Sequence, residues 1–356
     1  MYRNLSRSRI AAAVLTLTAL TGSSYAATTS PAKQASATNA TNATTTQLPR
    51  GVTPQHYALS LTPNAQAATF AARAVITIDV AVPTSTITLN ALELAFQHAD
   101  IAGAGGKKQT ASKIDVDAAT QTATFHFARP LAKGQYKLAL DYSGKIGTQA
   151  TGLFSLDYDT PAGQQRALYT QFENSDARSV IPSWDEPNYK ATFALDVTVP
   201  ASQMAVGNMP VAASVDLGNG SKRVSFAVTP RMSTYLLFFG VGDFERSTKM
   251  ADGTEVGVIT QKGSLAQGSF ALDESVRTLR EYNDYFGVRY PLPKLDNIAA
   301  PGRSQFFAAM ENWGAVFTFE NSMLFNPAIS TQADKENIYS TLAHEMAHQW
   351  FGDLVT

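Results

Sequence analysis

Between about Leu48 and Phe244, apolar residues recur at every second position of the chain. Ile76, Ile78, Val80 and Val82 share one face of an extended backbone; so do Ala123, Phe125 and Phe127, then Tyr136, Leu138, Leu140 and Tyr142, then Phe193, Leu195, Val197 and Val199. A pleated strand points successive side chains to opposite faces, so a period of two predicts half-buried β-strands. Gly103-Ala104-Gly105-Gly106 and the stretch 201–210, which contains Gly207 and Pro210, read as separators because Gly and Pro punctuate regular pairing. No convincing helical run interrupts the series. Residues 48–245 are therefore expected to form an all-β domain of sandwich or saddle type.

The period changes after Glu245. Val276, Leu279, Tyr282 and Phe286 recur at steps of three and four, and Gly287 follows as a C-cap, which predicts an amphipathic helix over about 270–286. Short apolar runs at 297–300 and 315–319 read as strands flanking a loop. Thr331 with Asp334 three residues later resembles a capping box, and the helix it opens is expected to run through Trp350. On that helix Ile338, Leu342, Met346 and Trp350 form one apolar stripe, while His344 and His348 lie together on the opposite side. The fold class is multidomain, β then α+β, with residues 246–356 as the second domain.

The first 47 residues follow neither pattern. Arg3, Arg7 and Arg9 precede an apolar run over 10–20, and Ser24-Tyr25-Ala26 supplies a small-x-small cleavage pattern, so residues 1–26 read as a signal peptide. The run is too short to cross a bilayer as helix, which takes about 20 residues. Residues 27–47 are nearly all Ala, Thr, Ser, Asn and Gln, a composition that cannot offset its ordering entropy and reads as a disordered linker. The mature protein is expected to be exported, periplasmic or secreted, with no stable membrane anchor after signal cleavage.

Composition narrows the chemistry. The chain has 356 residues, enough for about two domains at roughly 150 residues each. Its 28 Lys and Arg against 29 Asp and Glu exclude a nucleic-acid partner held mainly through phosphates. Without any Cys there are no disulfides, thiolate nucleophiles or Cys-based metal sites, so a metal must use His and carboxylates.

Such a set exists: His344, Glu345, Met346, Ala347 and His348 spell H-E-x-x-H. With five His in the chain, this pairing around a Glu is not a chance expectation. Imidazoles at i and i+4 sit on adjacent helical turns, where one tetrahedral Zn²⁺ can bridge them, and the intervening Glu lies near the metal without binding it. Zinc lowers the pKa of its water to about 7, and the Glu serves as general base. His56, His98 and His126 stand singly in strand-like or loop segments and read as surface or packed imidazoles.

From about Leu48 to Thr356 the sequence resembles the M1 family of zinc aminopeptidases, the gluzincin group of aminopeptidase N and puromycin-sensitive type. The resemblance is carried by Leu48-Pro49-Arg50, Val52-x-Pro54-x-His56-Tyr57, Thr170-Gln171-Phe172-Glu173, Asp176-Ala177-Arg178 and Trp184-Asp185-Glu186-Pro187. It continues through Met232-Ser233-Thr234-Tyr235, Gly242-Asp243-Phe244, Ala309-Met310-Glu311-Asn312-Trp313-Gly314 and Gln349-Trp350-Phe351-Gly352-Asp353. It implies an N-terminal saddle followed by the start of a thermolysin-like catalytic domain, one zinc held by His344 and His348, and Glu345 as base. It further assigns recognition of the substrate's free amine to Glu311 and Glu173, and the first side-chain pocket to Gln171. Residues 308–312 resemble the family's G-A-M-E-N segment, with Ala308 where Gly usually stands, beside Ala309, Met310 and Asn312. A Cβ at Ala308 is expected to crowd the edge along which substrate backbone pairs. The third zinc ligand, a Glu, and a catalytic Tyr lie in the family beyond the position of Thr356. The resemblance thus implies the N-terminal part of a longer enzyme, weak in zinc affinity and turnover by itself.

The expected partners are peptides with a free N-terminus, counted by carboxylates placed one residue's length from the metal. Two other readings stand beside this one: a gluzincin endopeptidase that cuts internally, and a non-catalytic peptide-binding module built on the β domain. Trp184, Asp185, Glu186 and Pro187 read as a structural turn, and Arg178 as an anchor for a buried carboxylate.

Overall fold

The computed structural model describes residues 47–103, 105–304 and 307–356. The signal peptide expected over 1–26 lies outside them, as does the linker expected over 27–47 apart from Gln47. Among the described residues no helix is long and apolar enough to cross a membrane.

The alternating segments form sheets. An eight-stranded sheet is centred on the antiparallel pair Val52–Asn64 and Thr69–Val80. Gly134–Lys145, Ala95–Gly103 and Lys108–Thr110 extend it on one side, and Thr192–Pro200, Ser221–Phe226 and Val211–Asp216 on the other. Ile76 lies opposite both Tyr57 and Leu138, so one face of three adjacent strands is continuously apolar. Phe193 stacks on Tyr57 with ring centroids 4.8 Å apart. A three-stranded sheet of Thr84–Asn90, Thr122–Leu131 and Lys113–Asp117 closes over this face, with Phe125 edge-on to Phe96 at 5.2 Å. At about 1.5–3 kcal/mol for each large side chain buried, such faces supply the main stabilisation.

A four-stranded sheet, Met204–Gly207, Phe239–Gly242, Gly163–Gln171 and Gly152–Thr160, carries the β region toward the second domain. Two expectations change here. The stretch 201–210 is not only a separator, because Met204–Gly207 pairs with Phe239–Gly242; the Gly at its end allows close approach of the Phe226 ring, which an added Cβ would meet at 3.2 Å. Val82 does not share the buried face of Ile76, Ile78 and Val80, since the strand stops at Val80 and Val82 is exposed.

A five-stranded sheet follows in the order Phe244–Ala251, Thr254–Gln261, Lys294–Ala300, Ala315–Phe319 and Ala309–Met310, within the single compact unit 46–356. The middle three strands are parallel, and a parallel pair needs a crossover. Helix α1 (Ser269–Phe286) provides it and ends at Gly287, whose φ of +65° suits a left-handed cap. The third strand begins at Lys294, earlier than the apolar run implies, because Lys294 and Asp296 are buried as an ion pair 2.9 Å apart and so hide its periodicity. Phe317 packs against Tyr169 at 5.3 Å and Phe154 at 6.0 Å, joining this sheet to the four-stranded one.

Candidate active site

Helix α2 (Gln332–His348) opens with a complete capping box: Asp334 N–H donates to Thr331 Oγ1 at 3.3 Å, and Thr331 N–H donates to Asp334 Oδ2 at 2.6 Å. Ile338, Leu342, Met346 and Trp350 are buried as one stripe. The helix ends at His348 and not, as expected, at Trp350. Its last turn tightens, with Gln349 N–H bonded to Met346 O and Trp350 N–H to Ala347 O, each three residues back.

The stripe turns the two histidines outward together. Their Nε2 atoms are 3.2 Å apart. Two nitrogens bound tetrahedrally at about 2.0–2.1 Å from one ion lie about 3.3 Å apart, so this pair is spaced to share a metal. His348 Nδ1 is 2.9 Å from the Phe351 carbonyl, a bond that puts the ring proton on Nδ1 and leaves Nε2 as the lone-pair donor. Among the described residues no third His, Asp or Glu completes the group. Glu345, on the same helix between the two histidines, is buried, and its Oε2 has no hydrogen-bond partner among the described residues. An unpartnered carboxylate oxygen beside two converging imidazoles suits a cation with its water.

Three further carboxylates gather around it. Glu311 follows the edge strand Ala309–Met310 and is buried; Glu173 follows Gly163–Gln171 of the β region and is exposed; Asp353 follows α2 and is wholly buried. Burial, then Glu311 and Glu173, push the Glu345 carboxyl up to about 8. Burial and Glu311 also raise Glu173, which His348 draws back, and burial with Glu311 and Glu345 raises Asp353. Concentrated negative charge disfavours ionisation of these three carboxyls, and a metal ion or a substrate ammonium would relieve it. Burial and the same carboxylates raise the Tyr235 phenol, whose hydroxyl donates to Gly352 O at 3.3 Å.

A cavity of about 570 Å³ adjoins the cluster, with Gln171, Glu173, Phe307 and Phe319 in its walls. Gln171 is buried, and its Oε1 has no partner among the described residues. Ala308 is exposed and accepts a hydrogen bond from Phe319 N–H at 3.1 Å. Asn312 is wholly buried with both side-chain polar atoms unpartnered among the described residues.

Residues 53–236 match the peptidase M1 N-terminal domain, and residues 270–356 match the peptidase family M1 domain. The chain is 45% identical over 311 residues to aminopeptidase N of Acetobacter pasteurianus, covering 87% of this chain and 86% of that one. The chain belongs to peptidase family M1. Other members of the family are similar over the same share of the chain: aminopeptidase M1-C of Oryza sativa subsp. japonica at 40% identity and human endoplasmic reticulum aminopeptidase 1 at 36%. The chain spans 35% and 33% of the length of those two M1 proteins.

Within this M1 chain the remaining histidines have local partners: His56 with Thr192 at 2.7 Å, His98 with Asp100 at 2.7 Å and His126 with Asp115 at 2.9 Å. Arg178 Nε bonds the buried Asp185 at 2.9 Å, and Glu186 pairs with Arg50 at 2.8 Å. Tyr235, Gln349 and Asp353 stand in the segments that carry the M1 resemblance, yet no spacing in the sequence gives them a place in the site. Their only mark at sequence level is polarity inside otherwise apolar runs.

Proposed function

We propose that this chain carries the metal helix and the amine-recognition carboxylates of a zinc aminopeptidase that releases N-terminal residues from peptides. The reading rests on one observation above all: the 3.2 Å approach of His344 and His348 Nε2 beside the buried, unpartnered Glu345. His344 and His348 would hold Zn²⁺ together with a Glu supplied from beyond Thr356. Zinc, when bound, supplies Lewis acidity that makes a water molecule acidic near neutral pH.

The chain's own side chains do the rest. Glu345 takes the proton of the attacking water and passes it to the departing amine. Glu311 and Glu173 accept charge-assisted hydrogen bonds from the substrate ammonium, which fixes the cut after the first residue. The edge strand Ala309–Met310, entered from Ala308 and followed by Asn312, offers backbone groups to an extended peptide. Gln171 lines the space for the first side chain. An enzyme cutting internally would bring no ammonium group to Glu311 and Glu173, so these carboxylates support the exopeptidase reading. The signal at 1–26 supports export to the periplasm or beyond.

Hydrolysis of one peptide by the zinc-loaded protein, compared with its N-acetylated form, tests the assignment. Release of the first residue from the free peptide much faster than from the acetylated form is expected; equal cleavage of both forms would overturn it.

A further inference from the structure

Residues 311–314 have no regular secondary structure, yet they are buried, so their backbone polar groups need partners from elsewhere. The Trp313 carbonyl accepts from Asn208 Nδ2 at 3.0 Å, and the Gly314 carbonyl from Lys294 Nζ at 2.7 Å. Gly314 has φ of +82°, and a Cβ there would lie 2.5 Å from Asn208 O. Asp296 N–H also donates to the Gly314 carbonyl at 3.1 Å and Ala315 N–H to the Asn312 carbonyl at 2.8 Å, and two further ties come from one side chain. Gln349 Oε1 accepts from Gly314 N–H at 3.0 Å, while Gln349 Nε2 donates to the Glu311 carbonyl at 2.8 Å.

Gln349 directly follows His348 and is wholly buried. Its amide therefore spans from the end of the histidine helix to both ends of the segment that begins with Glu311. The same nitrogen lies 3.4 Å from the Glu345 carbonyl, and the Tyr290 hydroxyl lies 3.3 Å from the oxygen. Only an amide has a donor and an acceptor at this reach. A carboxylate could keep Gly314 N–H but could not donate to Glu311, and an apolar side chain would leave both groups buried and unsatisfied.

We propose that Gln349 is a positioning residue: it clamps the Glu311 segment to the end of α2 and so fixes the separation between the metal and the carboxylate that receives the substrate ammonium. This rests on the aminopeptidase reading above. The clamp acts on amine placement, which is shared by bound substrate and transition state, and leaves the imidazoles and Glu345 in position.

In the full-length enzyme that carries this chain, the test measures KM and kcat for L-leucine 4-nitroanilide, and zinc per chain by atomic absorption, in Gln349→Met, Gln349→Glu and Glu311→Ala. Gln349→Met is expected to raise KM about tenfold with kcat within about threefold and zinc content unchanged, the pattern of lost uniform binding. Gln349→Glu keeps the Gly314 acceptor but turns an oxygen toward the Glu311 carbonyl, so it is expected to raise KM at least as much, and decides the matter if the Met variant does not fold. Loss of kcat with KM unchanged, loss of zinc in step with activity, or unaltered kinetics would each overturn the proposal. If Glu311→Ala raises KM and the Gln349 variants do not, the clamp alone fails. If Glu311→Ala leaves KM unaltered, the amine assignment itself fails.

Discussion

The Tyr282 hydroxyl of α1 donates to the Ala343 carbonyl of α2 at 2.9 Å, one residue ahead of His344. The Tyr282 ring also stands edge-on to Trp350 at 6.1 Å, so α1 fixes the rotation of α2 at the turn that presents the histidines. Packing against α1 thus holds the turn that carries the imidazoles. Exhaustive chelation is expected to leave the far-ultraviolet circular dichroism of the protein unchanged and to lower Tm by no more than about 10 °C, the scale of a ligand-linkage effect. Loss of helical signal on chelation would show that the metal builds the helix.

Glu345 is buried, its Oε2 has no hydrogen-bond partner among the described residues, and the proposed mechanism makes it the general base. Glu345→Gln keeps the shape and removes the base. Turnover is expected to fall at least about 100-fold, the scale of general-base loss, with zinc still bound. Near-normal turnover in a zinc-replete variant would remove Glu345 from the chemistry.

Glu311 adds to the burial that raises the Glu173, Glu345 and Asp353 carboxyls. Glu311→Ala is expected to reduce kcat/KM for a free-amine substrate by about 10- to 100-fold, the range of a charge-assisted hydrogen bond, and to leave the slow cleavage of its N-acetylated form unaltered. Equal losses on both substrates would count against amine recognition.

Asp100 gives the β region an acid-labile element. Burial alone would raise its carboxyl, but bonds from Lys108, Thr110 and His98 overcome this and hold it at about 2. A depressed folded-state value means that its stabilisation is present above the unfolded value near 3.9 and lost as pH falls toward 2. The urea midpoint of the parent should therefore drop more steeply between pH 4 and about 2 than that of Asp100→Asn. Parallel pH curves would show that the aspartate contributes nothing to acid sensitivity.

Arg178 is the partner of Asp185, which is buried and whose N–H donates to Asn90 Oδ1 at 3.2 Å. Burial raises the Asp185 carboxyl even with Arg178 beside it, so removing the guanidinium leaves a charge with little compensation. Arg178→Ala is expected to cost roughly 3 kcal/mol by equilibrium urea unfolding. A cost under about 1 kcal/mol would mark the pair as merely solvated.

The strands of the β region were legible because each buries one face, and burial of alternate residues imprints a period of two. Val82 and the strand Met204–Gly207 escaped that rule for local reasons. The first lies past the last ladder bond, and the second uses its glycine for close packing against Phe226. α2 ends two residues before its apolar stripe does, because Trp350 continues the stripe after the hydrogen bonds have tightened to three-residue steps.

The two histidines, their shared helical face and the capping box are properties of a single helix, and helical geometry is periodic enough for the amino-acid sequence alone to determine them. The meeting of Glu173, Glu311, Glu345 and Asp353 is of another kind. These groups come from different elements, and no local rule relates positions so far apart in the chain. Sheet pairing, the Phe317 contact between domains and the Gln349 tie bring them together, because burial of long-range apolar surface and satisfaction of buried backbone groups are settled only by the folded whole.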